Sequence, residues 1–207
     1  MRHPTSLALL LLAGTALHST SALAGGIGLL GTGGFHQARV YYYDVEETQY
    51  LNRQNQLNAG FGIEAVLGDK DERFLGVARG YYMIDTPPTG PEAPLVDDPI
   101  YAIPEGPTHI GVATVGVHWG VIGDPTGFQA HIASAVGAGI VTVDNSSNAE
   151  NLEGSNQEFL IGEAGIGAHY HFANNMQLYA DVAYTMRYRK VFYPGGNVYL
   201  GFRYMFD

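Results

Sequence analysis

Four of the five histidines in the second half of the chain, His118, His131, His169 and His171, combine a reactive side chain with a repeating spacing. Imidazole is the commonest zinc ligand, and three convergent nitrogens can hold a divalent ion. Folding neighbouring segments about their connections sets His118 opposite His131 and His131 opposite His169. His118, His131 and His169 are therefore the candidate metal set, with His171 one step below. The alternative is a hydrogen-bonded polar lining that gains charge on acidification.

A second group is ionic and comprises Glu64, Arg79, Glu163, Asp181, Arg187 and Arg203. If the hairpins register simply, Arg79 reaches Glu64 diagonally and Arg203 lies near Thr185 and Glu163. Buried carboxylates and guanidiniums are costly unless they pair, so this group reads as an interior polar network. An activated hydroxyl nucleophile finds little support. His131 and Ser134 fall on opposite faces of one strand, and His169-Tyr170-His171 has no neighbouring Ser. Gly137-Ala138-Gly139 and Gly165-Ile166-Gly167 lack the following helix that a nucleotide loop needs. No catalytic residue is assigned, no cofactor is expected, and the chain reads as a non-enzyme.

The segments that carry these residues are extended. Val198, Leu200, Phe202, Tyr204 and Phe206 share one face, while Asn197, Tyr199, Gly201, Arg203 and Met205 share the other. This period of two is the mark of a strand with one apolar and one polar side. It recurs in Gln177–Arg189, Leu160–Phe172, Phe128–Val143, Ile110–Ile122, Phe74–Asp85, Leu57–Leu67 and Ile27–Ala38, making eight strands. Short turns follow at 68–72, 123–127 and 173–175. The other connections, 40–56, 86–109 and 144–157, are polar and longer, with a tight one at 193–196. In an even-stranded meander this alternation puts the tight turns and both termini at one end and the loops at the other.

What faces outward decides the solvent. The apolar rows carry almost no charge, whereas the opposite rows collect Glu64, Arg79, His118, His131, Glu163, His169, His171, Asp181, Arg187 and Arg203. This inverts the rule for proteins in water and suits a hydrocarbon solvent. Phe74, Trp119, Phe128, Tyr170 and Phe172 point outward near the tight-turn end, together with Tyr204 and Phe206, as an interface girdle would. Tyr82, Tyr184 and Tyr188 are candidates for the opposite girdle.

Length and composition agree. The 207 residues hold no cysteine, so no disulfide or thiolate metal site exists, and a formal charge of −10 argues against nucleic-acid binding. Arg2 and His3, the apolar run Leu7–Ala13 and Ala22-Leu23-Ala24 read as a cleaved export leader over 1–24, leaving a barrel domain over 25–207. Acidic residues such as Asp44, Glu46, Glu47, Asp85, Glu92, Asp97 and Asp98 gather at the loop end. Together with Tyr41, Tyr42, Tyr43 and Tyr50, they could meet an envelope partner there.

In this pattern the chain resembles the small eight-stranded outer-membrane barrels of the OmpA/OmpX type and their OmpW-like, porin-family relatives. Gly201-Phe202-Arg203-Tyr204-Met205-Phe206 looks like the terminal assembly signal of such barrels, carried by Gly201, Tyr204 and Phe206. Here Asp207 follows the last aromatic. The resemblance implies an all-β, eight-stranded antiparallel up-and-down transmembrane barrel in the bacterial cell outer membrane with both mature termini periplasmic. It implies outer-membrane lipids and the barrel-assembly machinery as partners. Eight strands leave a lumen that side chains can fill, so the expected role is structural or surface-interacting. The alternatives are a narrow channel for small or apolar solutes, a lipid-modifying enzyme, or a soluble ligand carrier.

Overall fold

A computed structural model describes residues 24–43, 49–86, 108–143, 156–188 and 192–206. Eight strands run in chain order: β1 (Gly25–Tyr43), β2 (Gln49–Leu67), β3 (Phe74–Asp85), β4 (Thr108–Gly123), β5 (Phe128–Val143), β6 (Asn156–Ala173), β7 (Met176–Tyr188) and β8 (Phe192–Met205). Each pairs antiparallel with its sequence neighbour, and β8 returns to β1 to close the barrel. Alternation is the cause. Along β7, Gln177, Tyr179, Asp181, Ala183, Thr185 and Arg187 are buried while Leu178, Val182, Tyr184 and Tyr188 are exposed, and only closure lets all eight strands enclose one face.

The tight turns obey local chemistry. Gly68 and Gly123 take positive φ values of 122° and 97°, which residues with a Cβ rarely adopt. Between β4 and β5, the backbone N–H and hydroxyl of Thr126 both donate to Asp124 Oδ1, at 2.9 and 2.8 Å. Those two bonds hold the Asp124 carboxyl below its usual range. The leader positions before Ala24, and the loop residues 44–48, 87–107 and 144–155, lie outside the described residues.

Two connections differ from the sequence expectation. The segment 40–56, read as a loop for its polarity, instead extends both strands, with Tyr43 paired to Gln49. Polarity misleads there because backbone pairing does not require an apolar face. β8 follows β1 only as far as His36, and β3 follows β2 only from Asn58. Residues 37–43 and 49–55 thus pair with each other alone among the described residues, as an arm about 20 Å long. Likewise 193–196, read as a turn, belongs to β8, where Tyr193 pairs with Arg187. Pro194 and two glycines signal a turn, but a proline near the start of a strand is tolerated.

The enclosed face is also less uniformly polar than its charged residues suggest. Leu30, Tyr81, Met83, Ile110, Val112, Phe159, Ile161, Tyr179, Ala183 and Tyr199 form an apolar layer inside the barrel. Val66, Leu75 and Met205 form a second cluster at the tight-turn end. Outside, the rings of Phe74, Trp119, Phe128, Tyr170 and Phe172 are each at least half exposed, and Phe74 is the Cα partner of Trp119 as Phe128 is of Tyr170. Tyr204 and Phe206 continue the band in edge contact, 5.8 Å apart.

Candidate functional site: the polar lumen

Every member of the expected network, Glu64, Arg79, Glu163, Asp181, Arg187 and Arg203, is buried. Glu64 and Arg79 are direct Cα partners on β2 and β3. Arg79 Nε donates to Glu64 Oε2 at 2.7 Å, and its Nη2 donates across the lumen to Asp181 Oδ2 on β7. Arg203 departs from expectation. Its Nη1 donates to Glu64 Oε1 at 3.1 Å, and it makes no contact with Glu163. The reason is vertical position: Glu163 pairs with Thr185 on β7, whereas Arg203 pairs with Gln177, eight residues lower on that strand. Two carboxylates and two guanidiniums thus form one electrically neutral box. Arg79 and Arg203 also stack on the faces of Tyr199 and Tyr179, 4.6 and 4.7 Å from the ring centroids.

Glu163 is held instead by phenols. Tyr81 OH donates to its Oε1 at 3.0 Å, and Tyr199 OH lies within hydrogen-bond reach of the same oxygen. Neither tyrosine was singled out from sequence as a site residue, although alternation alone places both inside. His36 and Asp85 were missed as a pair. Asp85 reads as the first acid of a loop, yet it closes β3 at 1% exposure with its Oδ2 at 3.4 Å from His36 Nε2. Arg187 lies within electrostatic reach of both Asp85 and Glu163, with its Nε and Nη2 unmatched by any protein acceptor.

The histidines do gather, in a different arrangement from the one expected. His131 is the Cα partner of Gly167 rather than His169, and His118 is the partner of Ala133 rather than His131, in a β4–β5 register that also shifts by one at a bulge between Gly120 and Ile122. The rings nonetheless form a ladder: His118 and His131 stack at 4.3 Å, His131 and His169 at 5.8 Å, and His169 meets His171 edge-on at 5.7 Å. The three groups whose ligand atoms converge are His118, His131 and Asp181, not His118, His131 and His169. His131 Nε2 lies 2.9 Å and His118 Nε2 3.5 Å from Asp181.

This triad suits a hydrogen-bonded network better than a metal ion. The His118 and His131 planes are within 14° of parallel, so their in-plane lone pairs cannot converge on one point. Arg79 already occupies Asp181 and approaches His118 Nε2 at 3.2 Å. A void of about 10 Å³ beside Arg79, His118 and Asp181 has room for roughly one water.

Gly167 makes the triad possible. A Cβ there would stand 2.1 Å from Asp181 Oδ1 and 2.7 Å from His131 Nε2, so the pair occupies the notch the glycine leaves. Gly167→Ala is therefore expected to destabilise the barrel by about 1–3 kcal/mol, read by urea unfolding in lipid vesicles. A change within about 0.5 kcal/mol would mean that the pair is not packed as described.

The His131 and Ser134 side chains do not meet. His131 is buried inside and Ser134 is exposed outside, as alternation requires.

No family model and no curated protein sequence matches this chain. Among solved structures it is similar to Neisserial surface protein A, with 11% identity, a TM-score of 0.50, and coverage of 87% of this chain and 97% of that one. Ail, the attachment invasion locus protein of Yersinia pestis, has 15% identity, a TM-score of 0.45, and coverage of 87% and 99%. The N-terminal barrel domain of Pseudomonas aeruginosa OprF has 14% identity, a TM-score of 0.40, and coverage of 86% and 99%. At such identities the likeness to the first concerns the fold alone. That fold is the closed eight-stranded antiparallel transmembrane barrel.

Proposed function

We propose that this chain is an exported outer-membrane barrel with a structural or surface-interaction role, and neither a conduit nor an enzyme. The observation that carries this reading is the inversion of the molecule. Phe61, Ile63, Ile122, Val136 and Ile166 are each more than 60% exposed on the outer face, while the Glu64, Arg79, Asp181 and Arg203 side chains are at most 6% exposed within. Hydrocarbon solvates the first set and cannot solvate the second. The aromatic band at the tight-turn end supports an interface there, and short turns with both termini at one end support a periplasmic placement of that end. Lipids of the outer membrane are then the solvent partner, and Gly201, Tyr204 and Phe206 the segment read by the assembly machinery.

The ionic box reaches from β2 and β3 across to β7 and β8, with the apolar layer above it, which supports a plugged lumen. The β1–β2 arm supports a role at the outer surface, because it projects beyond the barrel that the membrane requires. An envelope or surface partner would meet the chain through this arm and the acidic loops. Conductance across planar bilayers tests the reading. The folded protein should give no stepwise currents at millivolt potentials. Regular unitary steps that survive repurification would instead establish the narrow-channel alternative.

A further inference from the structure

The buried charges of the lumen do not balance. Four carboxylates, those of Glu64, Asp85, Glu163 and Asp181, face three guanidiniums, those of Arg79, Arg187 and Arg203, among the described residues. The box of Glu64, Asp181, Arg79 and Arg203 is neutral in itself. The deficit therefore falls at the loop end, where Arg187 alone stands against Asp85 and Glu163. Glu163 has two phenol donors, but among the described residues neither oxygen of Asp85 has a hydrogen-bond donor. A carboxylate at 1% exposure that accepts no hydrogen bond is costly to keep ionised.

We infer that Asp85, His36 and Asn58 form a divalent metal-ion site at the loop end of the lumen. His36 Nε2 and Asp85 Oδ2 stand 3.4 Å apart. That is long for a hydrogen bond. It matches the separation of about 3.4 Å between two ligands held at 2.0–2.1 Å by a tetrahedral ion. Asn58, the Cα partner of Asp85 on β2, is 6% exposed, and both its amide oxygen and its amide nitrogen lack a protein partner. Its oxygen is the third donor. One imidazole nitrogen and two kinds of oxygen suit a first-row divalent ion such as zinc.

Electrostatics separates this site from the His118, His131 and Asp181 triad. The cost of burying net charge rises with its square. At the loop end a divalent ion converts one excess negative charge to one positive, leaving that square unchanged. At the triad, where Arg79 and Arg203 already neutralise both carboxylates, the same ion would take a neutral group to two positive charges. Neither His36 nor Asp85 is bonded to a guanidinium; the groups that face them are Gln56, hydrogen-bonded to His36, and Arg187, within electrostatic reach of both.

Zinc binding to the untagged, refolded barrel in detergent tests the inference, by titration calorimetry at neutral pH after chelator treatment. One ion per barrel is expected. Asp85→Asn and His36→Gln should each weaken binding by about tenfold or more, whereas His131→Gln should leave affinity within about twofold. Folding of each variant is checked by its mobility shift on heating. If Asp85→Asn does not fold, His36→Gln and the absorption spectrum of cobalt bound to the native protein carry the test, with a tetrahedral spectrum expected. Absence of saturable binding below about 100 μM would overturn the inference. So would binding that is lost in His131→Gln but kept in His36→Gln.

Discussion

Replacing Arg79 by methionine should destabilise the barrel by about 3–5 kcal/mol, the usual consequence of removing one member of a buried ion pair. Among the described residues Arg79 alone forms ion pairs with both Glu64 and Asp181, so its loss strands charge on opposite walls of the lumen. Glu64 retains Arg203 at 3.1 Å, and Asp181 retains only imidazoles. Adding Asp181→Asn to Arg79→Met should therefore recover more than half of the loss, since the stranded carboxylate, rather than the missing arginine, carries the penalty. Urea unfolding of both variants in vesicles measures this. A loss under about 1 kcal/mol for Arg79→Met would indicate a lumen wet enough to solvate a free carboxylate, and the plugged reading would fail.

Val182→Arg should cost about 2–4 kcal/mol in a bilayer, the penalty for a cation on the lipid face near mid-depth. Val182 is 58% exposed and sits midway along β7, six residues from each end. The size of the effect comes from the solvent. The same substitution on a protein surface in water usually falls within about 0.5 kcal/mol. Asp71→Arg, in the exposed turn between β2 and β3, is the control and should be nearly silent. Equal and small effects at both positions would mean that water wets the outer face.

The fold was legible because its cause is local. Each strand announces itself by alternation, and the charged row of each strand could only be the enclosed one once the opposite row was seen to be Leu, Ile, Val and Phe. Glu64 and Arg79 were legible as a pair because a short turn fixes their hairpin. Arg203 was not, because its partner Glu64 lies on the far side of the β8–β1 seam, whose register no turn specifies. The histidine ladder was half legible. Its members share a layer, but β5 lies two positions from the expected register against both neighbours, across the short turn at 123–127 on one side and across the longer connection to β6 on the other.

Asp85 and His36 escaped notice for a different reason. Asp85 is the last residue of β3 before a loop, and His36 is the last residue of β1 paired with β8, at a level where sequence polarity reads as exposure. The arm was hidden in the same way, since backbone pairing does not require an apolar face to betray it.

The central claim is that the outer apolar face meets hydrocarbon, and the chain contains a single tryptophan with which to examine it. Trp119 is 58% exposed in the aromatic band at the tight-turn end. In vesicles of brominated lipids its fluorescence should be quenched strongly. Bromines close to the headgroups should quench it more than bromines near the chain ends, and aqueous acrylamide should reach it poorly. Tryptophan emission indifferent to brominated lipid, and quenched instead by acrylamide or by nothing, would contradict the account.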